Sequence, residues 1–296
     1  MREPGESPGL PGAGRRRDGL AVEPALEQVK YWDAGGAAAG VVDSDDVIGV
    51  VGDASAPFPL ASVTKLLTAL AVLVAVEERT LDLDQPAGPR GATVRHLLAH
   101  ASGLPLDGQD PVAAPGTSRI YSNTGFEVLA TELARHAGMT FPDYLSGGVL
   151  HPLGLGGTVL VGGAAWGASG PLADLLALGR ELLSPTLISA ETLAEATSVA
   201  FPHLSGILPG FGRQDPNDWG LGFEVRDHKR PHWTGAGNSP RTFGHFGRSG
   251  AFLWVDPVAR LACASVAGRE FGPWAVRAWP RLSDAVLREF GPTTSA

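Results

Sequence analysis

Ser62 and Lys65 stand three residues apart in Pro59-Leu-Ala-Ser-Val-Thr-Lys65, at the head of an apolar run that continues to Val76. On a helix, residues three apart share a face. A lysine in such surroundings is disfavoured as a cation, because desolvation penalises the charge and the positive end of the helix dipole penalises it further. A lysine that is neutral part of the time can take a proton from a serine hydroxyl, and the Ser62 N–H, near the helix start, can stabilise an oxyanion. That chemistry is nucleophilic acyl transfer. Taken alone, the pattern reads better as an N-capping serine and a lysine whose ammonium reaches water along its stem.

Two later segments change the weighting. Pro115-Gly-Thr-Ser-Arg-Ile-Tyr-Ser-Asn-Thr124 places Tyr121 and Asn123 two apart, between a Pro-Gly turn and a predicted helix. A phenol beside a lysine and a serine can relay protons, and a carboxamide can both orient the lysine and bind a substrate carbonyl. Phe243-Gly-His-Phe-Gly-Arg-Ser-Gly250 follows, with glycines that let a strand edge approach a ligand closely.

In this order the three elements resemble the serine β-lactamase and penicillin-binding-protein superfamily, most closely the class C-like branch with its bacterial serine esterases and D-aminopeptidase-type enzymes. The resemblance runs over roughly residues 37–290 and is supported by Thr93-Val-Arg-His-Leu-Leu-Ala-His-Ala-Ser-Gly-Leu104, His151-Pro-Leu-Gly-Leu155 and Trp219-Gly-Leu-Gly222. It implies that Ser62 is the nucleophile of an acyl-enzyme and that Lys65 and Tyr121 share general-base and general-acid duty, with the first proton acceptor left open. It further implies that Asn123 orients Lys65 and the substrate, that His245 is the basic residue of the third motif, and that Gly247 lets the strand edge reach the substrate. The N–H groups of Ser62 and Arg248 would form the oxyanion hole, each worth about 3 kcal/mol in the transition state.

The third motif departs from the family, in which Thr or Ser follows the Lys or His; here Phe246 stands in that place. The missing hydroxyl is one that helps bind a substrate carboxylate, so a small carboxylic ester, or an amide, is the expected substrate. A β-lactamase or D-amino-acid peptidase is the alternative, with Arg248 replacing the lost anion contact. A binding protein that keeps the fold without turnover is a second alternative, against which the intact Ser62, Lys65, Tyr121 and Asn123 speak.

Other features narrow the classes. The formal charge of -8 argues against nucleic acid as partner. Cys263 is the lone cysteine, which removes an internal disulfide framework and reads as a core residue. The first twenty residues lack the apolar stretch of a signal peptide, and Leu66–Val76 is too short for a membrane span, so the expectation is a cytoplasmic protein acting on a small molecule. No cofactor is implied, and the oligomeric state is left open. His96 and His100 have the spacing of paired metal ligands, but no glutamate adjoins His96 and no third ligand is evident, so a structural role is expected and no metal. Asp43, Asp45 and Asp46 read as a solvated turn. Trp254 reads as core.

These residues must be positioned by a fold, which reads as α+β. Residues 1–20 are predicted to be disordered, followed by a short helix at 23–31 and strands at Ala37–Val42 and Val47–Val51. Helices are predicted at 62–78, 94–100, 125–137, 171–183 and 190–200, the first apolar nearly all round and so buried on every side. Residues 201–218 read as loop. Strands follow at 221–226, 243–245, 251–256 and 260–267, then a helix at 274–290 bent or interrupted at Pro280. Strands at both ends imply one antiparallel sheet built from the two termini, flanked by helices and carrying a helical insertion. The expected division is a tail (1–20) and one hydrolase domain (21–296), with an α/β part at 21–61 and 219–296 and a helical part at 62–218.

Overall fold

The structure, a computed structural model, describes residues 24–292, so the predicted disorder of 1–20 lies outside the described residues. A 3-10 helix at Ala25–Tyr31 leads into β1 (Ala37–Val42) and β2 (Val47–Val51), both on the residues predicted. In the turn between them the Asp43 carboxylate accepts the N–H groups of Asp45 and Asp46, at 2.8 Å each. After β3 (Pro57–Pro59), one 3-10 turn at Ala61–Val63 runs into α1 (Thr64–Glu77), which is buried from Thr64 to Ala75 as its all-round apolar sequence requires.

Next, α2 (Val94–Leu98) is capped by Thr93 and stops before His100, whose backbone is left-handed at φ 53°. α3 (Asn123–Ala137) begins two residues earlier than predicted, because Ser122 caps it by accepting the Gly125 N–H, and ends on left-handed Gly138. α4 (Phe141–Leu145) and the π turn Ser146–Leu150 were not foreseen, being too short to display a period. β4 (Val159–Leu160) and β5 (Ala168–Pro171) join β3 in a small sheet. α5 (Leu172–Leu183) takes Pro171 as its N-cap residue rather than in its first turn, and α6 (Ala190–Ala196) is capped by Ser189. Residues 201–218, read as loop, contain a hairpin of β6 (Gly206–Leu208) and β7 (Gly212–Gln214).

The closing elements are β8 (Glu224–Val225), β9 (Phe243–Phe246), β10 (Phe252–Asp256), β11 (Leu261–Ala267) and α7 (Pro273–Phe290). α7 runs through Pro280 without interruption; Trp279, Leu282 and Val286 anchor it on both sides of the proline, and that packing offsets the one lost hydrogen bond. The main sheet is antiparallel in the order β2-β1-β11-β10-β9-β8, with Ala37 opposite Ala267, so the termini do build one sheet.

Alternation along its strands divides the core in two. Leu253, Val255, Ala262 and Ala264 face α1 and the other helices, whereas Phe252, Trp254, Leu261 and Cys263 face α7 and the N-terminal 3-10 helix. α5, within the 62–218 part, packs on β11, β1 and β10 as a layer of the sheet. Among the described residues no helix is long and apolar enough to cross a membrane.

The sheet ends in a buried polar lock. The Glu224 carboxylate accepts from Lys229, from His232 Nε2 at 2.9 Å and from Trp233 Nε1 at 3.0 Å. Burial pushes this carboxyl up, but His232 and Lys229 outweigh it and hold it well below the usual range. Glu224→Gln leaves Lys229 uncompensated and is expected to cost about 3–5 kcal/mol, read as a lowered urea midpoint.

Candidate active site

Thr64, Lys65 and Thr68, the polar residues in the first turns of α1, serve one purpose. The Thr64 hydroxyl accepts the Ala168 N–H at 3.0 Å, the Thr68 hydroxyl donates to the Ala164 carbonyl at 2.6 Å, and Lys65 Nζ donates to the Ala165 carbonyl at 2.9 Å. A greasy helix thereby grips the chain segment 164–168 through its few polar side chains. Glu127 fixes the same segment from the other side, accepting the N–H groups of Ala164 at 3.2 Å and Ala165 at 3.0 Å. Gly163 makes room for it, since a Cβ there would stand 2.3 Å from Glu127 Oε1.

Lys65 is fully buried. Its Nζ also donates to Asn123 Oδ1 at 2.7 Å and lies 4.7 Å from the centre of the Tyr121 ring. Burial pushes the amine down to about 7, against the opposing pull of the carboxylates of Glu127 and Asp107. Asn123, the first residue of α3, turns its Nδ2 to Asp107 Oδ1 at 3.2 Å.

Tyr121 is pushed well above its ordinary value by burial, with a contact to Ser62 working in the opposite direction, so it stays a neutral phenol. Its hydroxyl lies 3.4 Å from His245 Nε2. His245 is driven down to about 3 by burial and by the Lys65 charge, and its Nδ1 contacts the Phe246 carbonyl at 2.7 Å. A carbonyl only accepts, so Nδ1 carries the proton and Nε2 is left as an acceptor for the phenol. His100 stacks on Tyr121 at 4.6 Å and uses Nδ1 to accept the Ser122 N–H, while His96 Nδ1 meets the hydroxyl of Thr93, the cap of α2, at 2.9 Å.

Ser62 is half-exposed in the 3-10 turn, where the N–H groups of a first turn lack an intrahelical acceptor. Ala61, just before it, is left-handed at φ 45°, which turns the chain sharply into the helix. Gly247, the residue that follows β9, comes up against this turn: a Cβ there would stand 2.4 Å from the Leu60 carbonyl oxygen and 3.1 Å from Ala61 Cβ. The Arg248 N–H follows directly and donates to no acceptor among the described residues. The Arg248 side chain is exposed, with Nε 3.4 Å from Glu270. Phe246 neither closes nor lines the site. Alternation sends it through the sheet into an aromatic cluster with Phe271 at 5.0 Å and Trp279 at 5.8 Å.

Ser62, Lys65, Tyr121, Asn123, His245 and Gly247 thus converge, and only the Arg248 side chain stands apart. Glu127 and Asp107 were missed. Glu127 is four residues after Asn123 on one helix and so shares its face, a signal that was present in the sequence; Asp107 lies in a loop with no periodicity to mark it. The arrangement presents a half-exposed hydroxyl in contact with the Tyr121 phenol, over whose ring lies a buried amine lowered to about 7.

The chain belongs to the β-lactamase family: the family model described as Beta-lactamase matches residues 27–287. Among solved structures it is similar to a β-lactamase from Mycobacterium bovis, with 52% identity and a TM-score of 0.90 over 90% of this chain and 100% of that one. The fold is also that of EstCE1, a hydrolase with promiscuous acyltransferase activity, at 19% identity and a TM-score of 0.70 over 88% of this chain and 96% of that one. Penicillin-binding protein 4* of Bacillus subtilis (strain 168) is 28% identical over 134 residues, a match that spans 34% of this chain and 30% of that relative.

Lowering Lys65 from 10.5 to about 7 costs the folded state about 5 kcal/mol at neutral pH. Between those two values the unfolded chain holds a proton that the folded protein lacks, so stability rises with pH across the window, by up to about 1.4 kcal/mol per unit. In Lys65→Met, urea midpoints measured across this window should rise less steeply; Lys229, also pushed down by burial, keeps its own share. Gly247→Ala should lower kcat/KM at least tenfold while leaving the circular-dichroism spectrum intact, because the clash falls on the serine turn.

Proposed function

We propose that this protein is a serine hydrolase that cleaves small carboxylic esters through an acyl-enzyme on Ser62. The observation that carries the proposal is the buried Lys65 amine, held by Asn123 and Ala165 and lowered to about 7 beside the serine turn. Neutral Lys65 takes the Ser62 Oγ proton as Oγ bonds to the acyl carbon, and the oxyanion is met by the N–H groups of Ser62 and Arg248. Collapse breaks the bond to the leaving oxygen, which takes up the Ser62 proton from Lys65 through the Tyr121 phenol. Water then attacks the acyl-enzyme, its proton passing to Lys65 and on to Ser62 as the acid departs. A phenol pushed upward by burial fits the relay and leaves the base duty to Lys65.

The preference for an ester rests on charge. A β-lactam or a peptide terminus brings a carboxylate, which needs a fixed cation. His245 is held neutral, Phe246 supplies no hydroxyl to the site, and Arg248 lies against Glu270. The likeness to EstCE1 fits this reading. The 52% identity to a β-lactamase of Mycobacterium bovis favours a second reading, β-lactam hydrolysis.

Intact-protein mass after brief exposure to a short-chain nitrophenyl ester and, separately, to a penicillin discriminates the two. An adduct from the ester alone, absent in Ser62→Ala, is the expected outcome; an adduct from penicillin as well supports the second reading, and wild-type turnover in Ser62→Ala removes both. For the ester, kcat/KM should fall tenfold per pH unit below about 7, where Lys65 holds its proton and cannot act as base. Tyr121→Phe should lower it by about two orders of magnitude.

A further inference from the structure

One carboxylate stands fixed and exposed at the mouth of the site. Asp107 belongs to a loop tied to the start of α3: the Leu106 carbonyl accepts the N–H groups of Asn123 at 2.8 Å and Thr124 at 3.3 Å, the Pro105 carbonyl accepts the Ser122 hydroxyl at 2.6 Å, and the Thr124 hydroxyl accepts the Gly108 N–H at 3.1 Å. The Asp107 carboxylate in turn accepts from Asn123 Nδ2, whose Oδ1 holds Lys65, so the acid is two hydrogen bonds from the amine. Its charge is felt there, since Asp107 and Glu127 are the carboxylates that oppose the lowering of Lys65.

The neighbouring basic groups offer no counterweight. Arg119 keeps its charge but is buried, donating to the carbonyls of Ala99, Ala200, Phe201 and Asn217, and Asp218 is the carboxylate that answers it. Arg248 is paired outward with Glu270, and burial keeps His100 and His245 neutral. Above pH 7 Lys65 joins them. A substrate acyl group entering beside Asn123 therefore meets net negative charge, together with the exposed apolar side chain of Leu106.

We propose that Asp107 sets the substrate class: the preferred ester carries a cationic ammonium on an apolar stem of its acyl group, and Asp107 holds that cation beside Asn123. The proposal rests on the serine-hydrolase reading. Because Coulomb attraction varies only as the inverse of distance, the preference does not demand one stem length.

Three nitrophenyl esters of similar size test it at about pH 8 and low ionic strength: 4-(trimethylammonio)butanoate, its uncharged carbon isostere 5,5-dimethylhexanoate, and the glutarate monoester. In the wild type the cationic ester should exceed the isostere in kcat/KM by about tenfold and the glutarate should fall below it. Salt at about 0.5 M should shrink the gap. In Asp107→Asn, which keeps the acceptor for Asn123 but loses the charge, the cation-to-isostere ratio should fall to about one. A wild-type ratio of one or less, or a ratio unchanged in Asp107→Asn, overturns this inference and leaves the hydrolase standing. Failure of all three esters to turn over in a Ser62-dependent way overturns both.

Discussion

An ammonium group denied water is the constraint on which this molecule turns. Lys65 sits inside a helix whose apolar faces could pack without it, and everything polar nearby is arranged around it. Thr64 and Thr68 hold the chain segment that offers it a carbonyl, Glu127 holds that segment from behind, and Asn123 supplies the second acceptor. Each acceptor suits a neutral amine as well as a charged one, so the site satisfies the lysine's hydrogen bonds without compensating its charge. An added full ion pair would have fixed the proton in place. The environment instead leaves the proton nearly balanced between lysine and solvent at neutral pH.

The sheet contributes through the two-sidedness of β9. One face presents His245 to Tyr121 and the other buries Phe246 against Trp279 of α7. The side chain that resets the third motif is thus a packing residue, and its chemical effect on the site is one of omission. What the strand gives the site directly is backbone: a glycine thin enough to touch the serine turn and the N–H that follows it.

Much of this was legible in the residues. The period-two runs at 37–42 and 47–51 and the all-apolar helix announced themselves, because one kind of burial acts along their whole length. Ser62, Lys65, Tyr121 and Asn123 were legible because the resemblance ties chemistry to short motifs. What stayed hidden was set by contacts distant in sequence. α4 and the β6–β7 hairpin are too short to carry a pattern, α5 gave no sign that it would lie on the sheet, and Pro280 looked like a break because its compensation comes from packing. Glu127 and Asp107 acquire meaning only once the 164–168 segment and the 105–108 loop are brought to α3.

The strand order carries a temporal consequence. β1 is an inner strand whose partner β11 is made more than two hundred residues later, with Ala37 facing Ala267. Until that partner leaves the ribosome, β1 has only β2 beside it, and a lone hairpin is marginal in water. The serine turn likewise awaits β9. Helices in the middle can form early, but loop closure over such a span is slow, and the sheet cannot be complete until synthesis has passed β11. A nascent chain of this kind carries Ser62 and Lys65 side by side long before it carries the burial that lowers the amine.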